Sequence, residues 1–221
     1  MLLTKWGEDL NRNAPLPEYP RPQFVRDSYL SLNGPWQLAF TEGEVIPSEY
    51  AYTITVPFSP EAPLSGVGRV LQHNEYLAYE KRFSLPDGFN KGRVFLHFGA
   101  VDQIAKVLLN GTFIGEHHGG YTPFTFEITD YLTDGENTLN VIVRDVCEEN
   151  EYSRGKQKTK RGGIWYSPQS GIWQSVWLES TPEDRKHPTS TSAILCTCTD
   201  SSNSFWIRSS PSSNVFVSSA S

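Results

Sequence analysis

The sequence predicts an all-β fold, a sandwich or a barrel. Short runs in which apolar and polar residues alternate recur along the chain, Gly, Pro, Asn and Asp separate them, and stretches of helical period are nearly absent. One Met and seventeen Gly among 221 residues point the same way, while six Trp, ten Tyr and twelve Phe supply material for a core.

Residues 1–22 carry Pro15, Pro17, Pro20 and Pro22, a spacing that lets neither a helix nor a central strand pass, so they read as an extended arm. The alternating runs follow at Trp36–Phe40, Tyr52–Val56, Tyr79–Phe83, Val94–Phe98, Ala105–Leu109, Phe113–Ile114, Phe124–Ile128, Leu139–Val143 and Ser175–Leu178. That is about nine antiparallel strands. Asn110-Gly111 joins two of them and predicts a two-residue type I′ turn, since both residue types tolerate positive φ. Asn110-Gly111-Thr112 also fits a glycosylation acceptor, which a tight hairpin without a signal peptide argues against. Asp134-Gly135-Glu136-Asn137 is expected to form a second hairpin loop. From Cys147 to about Gly163 the pattern stops, and acids (Glu148, Glu149, Glu151) give way to bases (Arg154, Lys156, Lys158, Lys160, Arg161) in a long exposed loop. Residues 23–180 therefore read as the sandwich. Residues 181–221 turn abruptly Ser/Thr-rich, as a disordered linker or a shifted reading frame would, and the abruptness favours the frame shift.

Composition excludes several functions. A formal net charge of −6 is wrong for a nucleic-acid binder. No apolar stretch reaches membrane-spanning length, and Met1–Asn11 has acids where a signal peptide has bases. Three cysteines make no even disulfide framework, so the chain is expected in the reducing cytoplasm. A (β/α)8 barrel takes about 250 residues, more than a chain spent on strands can provide.

Leu32-Asn33-Gly34-Pro35-Trp36 resembles the opening of the sugar-binding domain of glycoside hydrolase family 2, which includes β-galactosidases, β-glucuronidases and β-mannosidases. The strongest block is Phe98-Gly99-Ala100-Val101-Asp102, then Leu109-Asn110-Gly111, then Ile114 through Gly119-Gly120-Tyr121-Thr122-Pro123-Phe124; Gly171-Ile172-Trp173-Gln174-Ser175-Val176-Trp177-Leu178-Glu179 completes it. The resemblance implies a jelly-roll-type, galactose-binding-domain-like β-sandwich. It implies an amino-terminal domain of an enzyme that hydrolyses O-glycosyl bonds, cut off before the catalytic barrel and acting in carbohydrate binding and scaffolding. A stand-alone lectin-like module and a non-functional fragment are the alternatives.

No catalytic residue, metal or cofactor is expected. Glycoside hydrolysis needs two carboxyls held at a fixed separation, and the resemblance places both in the barrel. Glu148, Glu149 and Glu151 read as a solvated face. Cys147 with His117 or His118 lacks an orienting partner for nucleophilic catalysis, and the two histidines point to opposite sides of a strand. Asp102 reads as a turn cap or an acceptor of backbone N–H bonds, and Trp36, Trp173 and Trp177 as core. The candidate sugar contacts lie on the long loop and its flanks: Asp145, implied by the resemblance to reach toward the sugar pocket of the neighbouring barrel, with Asn74, Arg154, Gln157, Trp165 and Tyr166. Planar polar groups and aromatic faces suit sugar hydroxyls and C–H faces. The expected partners are a β-glycoside and the barrel domain.

Overall fold

The computed structural model describes residues 3–21, 25–148 and 152–183. Twelve strands run in chain order: β1 (Tyr29–Ser31), β2 (Gly34–Thr41), β3 (Tyr52–Val56), β4 (Tyr76–Ser84), β5 (Arg93–Phe98), β6 (Val101–Asp102), β7 (Ile104–Leu109), β8 (Thr112–His118), β9 (Phe124–Glu127), β10 (Glu136–Arg144), β11 (Gly171–Ile172) and β12 (Val176–Thr181). All nine alternating runs become strands. The three that the sequence did not announce, β1, β6 and β11, have two or three residues each, too few to show a period. Among the described residues the α-helical content is one turn, α1 (Lys5–Glu8), capped by the Thr4 side chain.

Among the described residues every pairing between these strands is antiparallel. A six-stranded sheet has the order β3-β2-β4-β10-β7-β8, a four-stranded sheet the order β1-β12-β5-β9, and β11 and β6 form a small ribbon. Alternation explains the core between the large sheets. Trp36, Leu38, Leu77, Tyr79, Leu139, Val141 and Val143 come from the first, and Val94, Leu96, Phe98, Val176 and Leu178 from the second, all within one buried apolar cluster. Trp36 donates its indole N–H to the Leu32 carbonyl at 2.7 Å, so the largest core residue leaves no polar group unmet.

The Asn110-Gly111 turn forms as expected, with φ of 51° and 79°. Asn110 also ties the hairpin to β10: its amide donates to Asn137 Oδ1 and its Oδ1 accepts from the Thr138 N–H. A side chain at Gly111 would meet open space, so Gly111→Ala is strained by its backbone alone. We expect it to lower unfolding free energy by about 1 kcal/mol in urea titration.

Asp134–Asn137 is a turn but not a hairpin. Gly135 has φ 94° as a turn residue should, yet the strand before it, β9, pairs with β5 in one sheet while β10 lies between β4 and β7 in the other. The segment crosses the sandwich. Among the tryptophans, Trp36 is core and Trp173 is not: it is half-buried and donates to the Gly120 carbonyl at 2.8 Å. Trp177 is buried on the outer face of the four-stranded sheet.

That outer face is covered by the proline-bearing arm. Asn33 grips the arm through the Pro15 carbonyl while accepting from the Val176 N–H. Glu179, fully buried, takes the Tyr19 hydroxyl at 2.5 Å, the Arg21 guanidinium, Arg26 Nε at 2.8 Å and the Trp177 indole N–H at 2.9 Å. His97 stacks on Trp177 with ring centroids 4.9 Å apart. Burial opposes ionisation of Glu179, but these donors and the charge of His97 hold its carboxyl down at about 2. Of the predicted tail, residues 181–221, Thr181 is buried as the last residue of β12, and residue 184 onward, with Cys196 and Cys198, lies outside the described residues, as do Glu149 and Glu151.

Candidate functional site

Asp145 follows the last residue of β10 and opens the long segment that returns to the sandwich at β11. Its base is stapled to the Ser59–Glu61 turn. Glu61 accepts from Ser170 Oγ at 2.7 Å and from the Ser170 N–H at 3.1 Å, and Ser59 donates to Gln169 Oε1 at 2.5 Å. Further out, Lys158 N–H donates to the Tyr166 carbonyl and Tyr166 N–H to the Lys156 carbonyl, so the excursion is tied back on itself.

The proposed contacts fall into two groups. Gln157 bridges the loop, accepting from the Gln169 N–H at 2.6 Å and donating to the Tyr121 hydroxyl at 3.1 Å. Tyr121 is 46% exposed and meets Trp173 edge to face at 5.8 Å. Arg154 donates to the Cys147 carbonyl at 3.0 Å. Lys158 lies over the ring of Trp165 at 4.3 Å, and Tyr166 is 71% exposed. Asp145 stands apart from these. It is 7% exposed and lines a cavity of about 10 Å³ with Glu61, His73, Cys147 and Ser170. That volume holds at most one water. Asn74 does not line it; the exposed turn before β4 brings His73 there instead.

Asp102 departs most from expectation. It caps no turn: it is 4% exposed on β6, and its Oδ1 has no hydrogen bond among the described residues. The carboxylate fills the space that a side chain at residue 120 would need, so Gly120 is required by contact. Burial, with Glu61 adding repulsion, pushes Asp102 up to about 7. Burial, then Asp102 and Glu61, pushes Asp145 up to about 8, and burial raises Glu61. At neutral pH Asp145 therefore holds its proton and Asp102 is about half protonated. Among the described residues the three carboxyls do not converge as metal ligands. Cys147 is buried and pushed up to about 11, chiefly by desolvation, so it is no thiolate at neutral pH. Glu148 accepts from the Thr159 N–H. No described helix is long and apolar enough to cross a membrane.

Sequence reasoning missed Glu61, Asp102 and Ser170 as members of the site. The signal for Asp102 lay in the block that carried the resemblance; Glu61 and Ser170, 109 residues apart, offered none.

Two antiparallel sheets around one apolar core define the chain as an all-β sandwich domain. Residues 65–182 match the family described as glycosyl hydrolases family 2, sugar binding domain, and the chain belongs to that family. It is 39% identical over 102 residues to a β-galactosidase of Thermoanaerobacter pseudethanolicus, a match that spans 46% of this chain and 13% of that protein. A β-glucuronidase of Formosa agariphila is 28% identical over 102 residues, covering 46% of this chain and 10% of that one. In fold, the chain superposes on a β-glucuronidase of an uncultured Clostridium with TM-score 0.55 at 24% identity, covering 72% of this chain and 30% of the other. A β-glucuronidase from Ruminococcus gnavus, solved with a C6-substituted uronic isofagomine, gives TM-score 0.55 at 25% identity over 75% of this chain and 31% of that one. The matched region is thus a small part of each relative.

Proposed function

We propose that this chain is the non-catalytic carbohydrate-binding and scaffolding domain of a β-glycosidase that hydrolyses O-glycosyl bonds. Asp145, Asn74, Arg154, Gln157, Trp165 and Tyr166 form one wall of a substrate pocket, and the catalytic domain supplies the opposite wall and the hydrolytic carboxylates. One observation carries this: the long loop that carries Gln157, Trp165 and Tyr166 starts at Asp145, and the cavity that Asp145 lines is only about 10 Å³, far below the 300–1,000 Å³ of a complete ligand pocket. Such a wall works only when a second surface closes over it.

The test uses the full chain with a chromogenic β-galactoside and with methyl β-galactoside. We expect no release of aglycone, and a Kd for the methyl glycoside weaker than about 1 mM, under about 4 kcal/mol of binding free energy. Aglycone release would overturn the non-catalytic role. Tighter binding that Trp165→Ala or Tyr166→Ala abolishes would favour a stand-alone sugar-binding module.

A further inference from the structure

A cleft lies where the six-stranded sheet splits. β2 pairs with β4 only from Gln37↔Glu80 to Thr41↔Tyr76. Beyond that point Gly34–Trp36 pair only with β3, and Lys81–Ser84 pair only with β10. Two neighbouring strands therefore diverge and leave a cleft of about 450 Å³ lined by Pro35, Gln37, Tyr50, Glu80, Lys81 and Arg82. Lys81 is paired with Leu139 on β10, and Asp145 lies six residues further along that chain, so the cleft is about 20 Å from Asp145 at about 3.3 Å per strand residue.

The chemistry of the cleft is specific. Lys81 occupies a position between the core residues Tyr79 and Phe83, and its ammonium reaches across the split to the Pro35 carbonyl at 2.9 Å. It is half-buried and makes no ion pair among the described residues. A partly desolvated cation satisfied by one neutral carbonyl is a ready anchor for an anion. Burial lowers its proton affinity, and a carboxylate beside it would restore it. Around this point charge the groups are those that read hydroxyls. The Gln37 side chain, exposed and without a hydrogen bond among the described residues, offers a donor and an acceptor. Tyr50 is half-buried and held in place by the Asn140 amide at 3.1 Å, so its ring presents a fixed face. Glu80 is set by Arg82 Nε at 3.1 Å. The cleft is larger than a lone carboxylate and falls within the range of small-ligand pockets.

We propose that the cleft between β2 and β4 binds an acidic monosaccharide, a uronic acid, with its carboxylate on Lys81 and its hydroxyls on Gln37 and Glu80. The site is complete within this chain and separate from the Asp145 wall. Titration calorimetry of the full chain with D-galacturonate and D-glucuronate tests it, with acetate and D-galactose as controls. We expect saturable binding of at least one uronate with Kd of about 0.1–1 mM, weakened at least tenfold by Lys81→Met and by Gln37→Ala and unchanged by Trp165→Ala. Gln37 is a surface residue, so its variant carries the test if Lys81→Met does not fold. Absence of saturable uronate binding, affinity untouched by Gln37→Ala, or acetate binding as tightly as the uronates would each overturn the proposal. Dependence on Trp165 would instead assign the sugar to the Asp145 wall.

Discussion

Glu179→Gln is expected to lower stability at pH 7 by about 3–5 kcal/mol, the usual result of removing one member of a buried ion pair. In a chain of this size that is roughly 6–20 °C in calorimetric melting temperature. The glutamine fills the same space and keeps an acceptor for the Trp177 indole, but Arg21 and Arg26 lose the only carboxylate that faces them among the described residues. The arm then detaches from the outer face of the four-stranded sheet. The same network sets the acid limit of stability. Its carboxyl is held at about 2 against an ordinary 4.5, so the contribution is present above about pH 4.5 and is lost as pH falls toward 2. The variant should lack that acid-side slope. A melting temperature within about 2 °C of the parent would show that the arm does not depend on Glu179.

The contrast between this network and the sheets shows what the sequence could convey. Period-two alternation is local, so Trp36–Phe40 or Leu139–Val143 announce strands within five residues, and Asn110-Gly111 announces its own turn. Glu179 sits in an equally clear run, yet its partners Tyr19 and Arg21 lie 160 and 158 residues away. No local pattern marks a buried acid as paired. The long loop was legible as a loop because it breaks the alternation, and the chemistry of Gln157, Trp165 and Tyr166 made them candidates for sugar contact. Which of them share a surface was not legible, because that depends on the staples from Ser59 and Glu61. Asn74 lies in the turn before β4, and its neighbour His73 lines the cavity; no local pattern decides which of two adjacent turn residues faces inward.

Asp102→Asn and Asp145→Asn should each stabilise the protein at pH 8 and change little at pH 4.5. Unfolded, both carboxyls ionise near 3.8; folded, they keep their protons to about 7 and about 8. The folded state therefore binds more protons between these limits, and stability falls as pH rises from about 4 to 8. One pKa unit is worth about 1.4 kcal/mol, so the penalty at pH 8 is on the order of several kcal/mol. An amide cannot ionise and escapes it. Because the carboxyls repel one another, either substitution relieves the other, and the double variant should gain less than the sum of the singles. With Glu179 failing below about pH 4.5 and this cluster weakening above about 4, the parent should be most stable near pH 4–5. Melting curves from pH 3 to 8 on the parent, both singles and the double measure all of this at once. A gain that is the same at pH 4.5 and pH 8 would mean that the carboxyls are not proton-holding in the fold.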